Sequence, residues 1–168
     1  GAPSPSPDYP QEIQVVRGRN LLDDSKPVSK VVGTNVSGDL KNGITITNST
    51  TATTARIAAM PVEVGKQYTL SFDAVSSIAS ANVTVDIGDQ NASGTAVGYT
   101  TVEVSNVKSR KTITFTYGTA TQYKHLDFDV LSQATITITN IQLELGSTPT
   151  PYVPYGHVGL EVQGKNLL

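Results

Sequence analysis

Five stretches of the chain alternate strictly between apolar and polar side chains: 44–47 (ITIT), 68–74 (YTLSFDA), 83–87 (VTVDI), 113–117 (ITFTY) and 136–139 (ITIT). A period of two puts every second side chain on one face, so each stretch reads as a half-buried strand rather than a helix. Further strands are expected at 13–17, 54–60, 98–104, 122–131 and 141–145. Composition agrees. Thr, Val and Ile number 22, 19 and 10 of 168 residues, and such β-branched residues are stiff at χ1 and pack best on a pleated surface. Asn42-Gly43 is the strongest turn signal between strands, with Val64-Gly65 and Tyr117-Gly118 weaker. About ten short strands without a helical period imply an all-β fold, a two-sheet antiparallel sandwich.

Other classes are excluded by what the chain carries. A net charge of −2 lacks the basic footprint of a nucleic-acid binder. No apolar run approaches the ~18 residues of a membrane helix. The chain has no Cys, which removes disulfides, thiolate metal sites and cysteine nucleophiles. G-x-S-x-G, Walker and H-E-x-x-H motifs are missing.

The two ends resemble each other. Pro5-Ser6-Pro7-Asp8-Tyr9-Pro10 and Pro149-Thr150-Pro151-Tyr152-Val153-Pro154 share P-x-P-x-x-P. Each is followed by a short apolar stretch and then G-[RK]-N-L-L, at Gly18–Leu22 and Gly164–Leu168. The Asn20-to-Asn166 offset of 146 residues is the size of a domain. The expected organisation is a Pro/Ser-rich linker at 1–12, a module at 13–148, and a Pro-rich hinge with the start of a following module at 149–168.

Alternation also sorts faces. Leu126, Phe128 and Val130 point inward, which sends Tyr123, His125, Asp127 and Asp129 to the opposite face. Asp73 and Asp86 join that set if their strands are neighbours. Carboxylates and imidazole make directional hydrogen bonds to sugar hydroxyls, and an aromatic ring covers the apolar side of a sugar. Asp127 and Asp129 lie about 7 Å apart along a strand face, which suits the carboxylate pair of a glycosidase. Nothing in the sequence suggests the burial that would raise either pKa, so hydrolysis is not expected. Asp23-Asp24 and 88–91 (GDQN) are oxygen-rich but read as ordinary turns.

The order Asn20-Leu21-Leu22, then 62–74 (VEVGKQYTLSFDA), then 138–146 (ITNIQLELG) and 148–152 (TPTPY) resembles the jelly-roll carbohydrate-binding modules of glycosidases and phage tail proteins. The opening 5–16 stretch (PSPDYPQEIQVV) resembles linkers in tail and baseplate proteins of siphophages that infect Gram-positive bacteria. The resemblance implies a non-catalytic module at the virion tail tip, outside the cell. Its partners would be host cell-wall polysaccharide and other modules of the same tail protein, with no nucleic acid and no membrane insertion. Relatives carry Asp-Asn ahead of Ile-Gln-Leu-Glu, where the Asp contributes to a structural calcium site. Thr139-Asn140 stands there in this chain, so no cofactor is expected. Relatives also stack sugars on Trp; with no Trp here, that role falls to Tyr123 or Tyr99. The expected ligand-binding set is therefore Tyr123, His125, Asp127, Asp129, Asp73, Asp86 and Tyr99. The alternative is a structural spacer of the tail without a ligand.

Overall fold

The structure, a computed structural model, describes residues 12–17, 19–88, 96–118 and 124–163, with side chains described over 19–88, 100–118 and 124–157. It contains twelve strands: β1 (Glu12–Arg17), β2 (Val28–Val32), β3 (Asn35–Asp39), β4 (Gly43–Asn48), β5 (Thr53–Ile57), β6 (Gln67–Ser76), β7 (Ala81–Gly88), β8 (Ala96–Val104), β9 (Ser109–Thr116), β10 (His125–Val130), β11 (Ala134–Leu145) and β12 (Val158–Gln163). Ten of them form two five-stranded antiparallel sheets, in the orders β2-β5-β10-β7-β8 and β3-β4-β11-β6-β9. The expected all-β sandwich is the fold observed. Among the described residues, β1 and β12 pair only with each other.

The alternating stretches build the core as their period requires. Ile44, Ile46, Leu70, Phe72, Ile136 and Ile138 from one sheet meet Ile57, Val83, Val85, Ile87, Leu126 and Phe128 from the other, and all are fully buried. Each such side chain contributes about 1.5–3 kcal/mol by leaving water. Phe72 and Phe128 bridge the sheets edge to face, with centroids 5.2 Å apart, and Tyr68 stacks on its cross-strand partner Phe115.

Two expectations are corrected. The stretches at 136–139 and 141–145 are one strand, β11, interrupted by a bulge between Thr139 and Gln142. Asn140 takes a positive φ of 52° there. The extra residue moves the core positions from even numbers (Ile136, Ile138) to odd ones (Ile141, Leu143), as a bulge must. Second, β2 and β3 were not expected. Both are mostly exposed along their length, so they bury too little to show a hydrophobic period. The Asn42-Gly43 turn forms as read. Asp39 accepts from the Asn42 backbone N–H at 2.7 Å, and Gly43 sits at φ 113°, where an added Cβ would press on Thr139 Cγ2 at 2.8 Å.

The outer face of the β11 sheet is covered around Gln142 and Glu144. Residues 148–153 lie across it, held by side chains of the IQLEL stretch. Gln142 donates to Thr150 O and accepts from Val153 N at 2.9 Å, while Glu144 accepts from Thr150 N at 3.0 Å and from its hydroxyl at 2.6 Å. Asn20 completes the lock: it donates to Ile141 O and Val153 O and accepts from Leu22 N and Leu143 N. The Pro149–Val153 stretch read as a hinge is thus strapped to the sandwich. Thr69 and Ser71, the polar residues that alternation in 68–74 turns away from the core, are buried as well.

Candidate functional site

β10 is the central strand of its sheet, and its outward side chains meet those of both neighbours in register. Asp127 stands between Arg56 of β5 and Asp86 of β7. Asp129 stands between Thr54 of β5 and Thr84 of β7. The row continues from Thr84 to Thr101 of β8, whose hydroxyls lie 3.1 Å apart. His125 starts β10 opposite Gly88.

Arg56 grips Asp127 with two parallel bonds, Nε to Oδ1 and Nη2 to Oδ2, both 2.7 Å. Such a fork is the strong form of a charge-assisted bond. His125 Nε2 lies 3.5 Å from Asp127 Oδ2, and Thr54 donates its hydroxyl to Asp129 Oδ1. Asp86 is placed differently. Its Oδ1 is buried and accepts no hydrogen bond.

Three carboxylates therefore share one guanidinium, and the electrostatics follow. Burial, then the charges of Asp127 and Asp129, push the Asp86 carboxyl up to about 6 against the pull of Arg56. Burial raises Asp129 as well, opposed by the Thr54 hydroxyl. The bond to Asp127 raises Arg56. The sequence reading saw no source of burial for these acids; the packed sheet face supplies it. Asp86, His125 and Asp127 each offer a ligand atom within 4.8 Å of the others. Arg56 already occupies both oxygens of Asp127, so the geometry is that of an ion pair, not of a metal centre.

Residues 23–140 match the family described as carbohydrate-binding domain. The chain belongs to that family. This carbohydrate-binding domain is similar in fold to the N-terminal cellulose-binding domain of Cellulomonas fimi β-1,4-glucanase C, with 19% identity, TM-score 0.56, and 75% of this chain and 94% of that one covered. It is similar to a xylan-binding domain from Paenibacillus barcinonensis at 10% identity and TM-score 0.57, covering 80% and 95%. It is also similar to part of the enzymatically active domain of bacteriophage CBA120 tailspike protein 4, at 16% identity and TM-score 0.51. That likeness covers 76% of this chain and 21% of the tailspike chain. No curated protein sequence matches significantly.

Of the expected ligand set, the domain brings Asp86, His125, Asp127 and Asp129 onto one sheet face. Asp73 does not join them. Its strand β6 belongs to the other sheet, where it pairs with Arg110 at 3.4 Å and accepts from Asn140 Nδ2 at 2.8 Å. Tyr123 and the side chain of Tyr99 lie outside the described residues, although the backbone of Tyr99 belongs to β8. The expectation of an open polar face is corrected at two positions: His125 and Asp127 are only 3% and 4% exposed. Asp86 and Asp129 are half-buried. Sequence reasoning missed Arg56, although Thr54-Ala55-Arg56-Ile57 alternates and sends Thr54 and Arg56 to one face. Its further signal was that it is the one charged residue of the strand. Asp23, in one of the oxygen-rich turns, accepts from Ser25 N at 2.9 Å and Ser25 Oγ at 2.6 Å, a turn contact; residues 89–91 lie outside the described residues.

Proposed function

We propose that this carbohydrate-binding domain is a non-catalytic adhesion module of a phage tail or baseplate protein, acting outside the cell at the virion tail tip. It attaches the particle to cell-wall polysaccharide of a Gram-positive host, and it is one of a tandem series of modules. The observation that carries the reading is the registered row Arg56–Asp127–Asp86, with Asp129, Thr84 and Thr101 beside it. Asp127 and His125 are the buried footing. Asp86 and Asp129, both half-buried, are the carboxylates a sugar hydroxyl reaches. A rigid sheet holds these groups in place, so little ordering entropy is lost on binding. Single-site affinity is weak and gains from copy number on the particle. Tyr99 and Tyr123 are the proposed stacking residues.

Isothermal titration against purified wall polysaccharides of Gram-positive bacteria tests the reading. Binding that drops at least tenfold in Asp129→Ala, with the melting transition retained, supports it. The burial of His125 and Asp127 favours a second reading, a structural spacer. Failure of every wall polysaccharide to bind the folded domain would establish the spacer instead.

A further inference from the structure

β12 lies 146 positions after β1, and of the six residue pairs only Val16/Val162 is identical. Adding 146 to the bounds of β1 gives those of β12, Val158–Gln163, and the residues that follow repeat as Gly18/Gly164, Arg19/Lys165, Asn20/Asn166, Leu21/Leu167 and Leu22/Leu168. The pairing between them is antiparallel, and Glu12 lies opposite Gln163, Ile13 opposite Val162 and Gln14 opposite Glu161. Carried back by 146, those partners are the positions of Arg17, Val16 and Val15. The pair is centred between positions 14 and 15 of β1 and between positions 160 and 161 of β12.

We infer that the β1·β12 pair is an exchangeable joint, and that its second partner is another copy of this chain. In the exchanged form β1 of each chain pairs with β12 of the other, closing a two-fold dimer. Three features make the exchange inexpensive. The two strands belong to neither five-stranded sheet, so the sandwich stays whole. Every backbone bond broken within one chain is remade between two. Both strands also leave from one point, because Asn20 Nδ2 donates to Val153 O at 3.2 Å. Only the short stretches between that point and the two strands have to redirect. Exchange becomes populated when neighbouring chains approach the roughly millimolar effective concentration that short tethers impose. Copies crowded on one particle meet that condition. The inference does not depend on glycan binding.

The chain has no Cys, so single cysteines report on the joint cleanly. Facing residues in antiparallel strands are about 4.5–5.5 Å apart at Cα, within disulfide reach. Ile13→Cys and Val162→Cys chains are mixed, unfolded, refolded together at about 10 µM and about 1 mM, oxidised, and separated without reductant. The expected result is a covalent heterodimer, joined by a disulfide between the two introduced thiols, whose yield rises at least tenfold with refolding concentration. Adding Val15→Pro and, in a second sample, Val16→Pro to the Ile13→Cys chain places proline at one ladder donor and one outward donor; at least one should abolish the heterodimer. The double variant, with both cysteines in one chain, should close internally at low concentration. Internal closure without any heterodimer at 1 mM overturns the exchange. No closure in either format overturns the joint itself. A heterodimer untouched by both prolines overturns the assignment to this strand pair.

Discussion

Asp86→Asn should stabilise the domain at neutral pH and leave its stability unchanged in acid. Burial beside Asp127 and Asp129 lifts the Asp86 carboxyl from its ordinary 3.8 to about 6 in the fold. A group that holds its proton more tightly folded than unfolded favours the fold while protonated. That contribution is complete below pH 3.8 and is lost as the pH climbs through about 6. The gap corresponds to about 3 kcal/mol at full strength. Asp86 is only half-buried, and solvent screening reduces this to about 1–2 kcal/mol. In a chain of this length each kcal/mol moves the melting midpoint by roughly 2–4 °C. The wild-type midpoint should therefore fall behind that of the Asn variant by about 2–8 °C between pH 4 and pH 7.5, and the two should converge at pH 3.5. Scanning calorimetry across that range reads the difference directly. An offset that does not change with pH, or a wild type more stable than the variant at pH 7.5, would refute the electrostatic account of this face.

Arg56→Ala removes both bonds of the fork from the buried Asp127 carboxylate and should cost about 3 kcal/mol, read from the urea midpoint. Its loss should be larger than that of Asp129→Ala, whose side chain remains half in solvent. Gln142→Ala removes one bond each to Thr150 and Val153, leaving those from Glu144 and Asn20; chymotrypsin should then cut at Tyr152 faster, while the core melts within a few degrees of wild type. Phe72→Ala opens a cavity against Phe128 and should cost about 3–5 kcal/mol by denaturant unfolding.

The sandwich was legible because its core strands are buried on one side only. Ile44, Leu70, Val85, Phe115 and Ile136 repeat at a period that no helix tolerates. β2 and β3 were not legible, since mostly exposed strands leave no apolar period. The phase change at Asn140 was hidden for a related reason. Alternation read on each side of it is correct, but the residue that shifts one onto the other has no side-chain signature beyond a tolerance for positive φ. The candidate site was half legible. Period two placed His125, Asp127 and Asp129 on one face of a strand. Which strands flank that one is a matter of long-range pairing, and it admitted Asp86 and Arg56 while sending Asp73 to the other sheet. Burial was the least legible quantity. Local alternation says which way a side chain points, not what lies above it, so a polar residue such as Gln142 or Asp127 looks the same whether it meets water or a lock. In hindsight the Asn-Leu-Leu, IQLEL and TPTPY stretches that carry the family resemblance are the parts of that lock.

The antiparallel pairing of β1 with β12 also decides how the protein answers a pull. Glu12 and Gln163 face each other at the end away from the sandwich, so tension applied through the chain on both sides opens the pair like a zipper, one rung at a time. Peeling loads each bond singly and yields at low force. Twelve residues are released, roughly 40 Å of slack at about 3.3 Å each, before any strain reaches Asn20 and the core. A pull on the chain would spend that slack first, and the sandwich would stay folded.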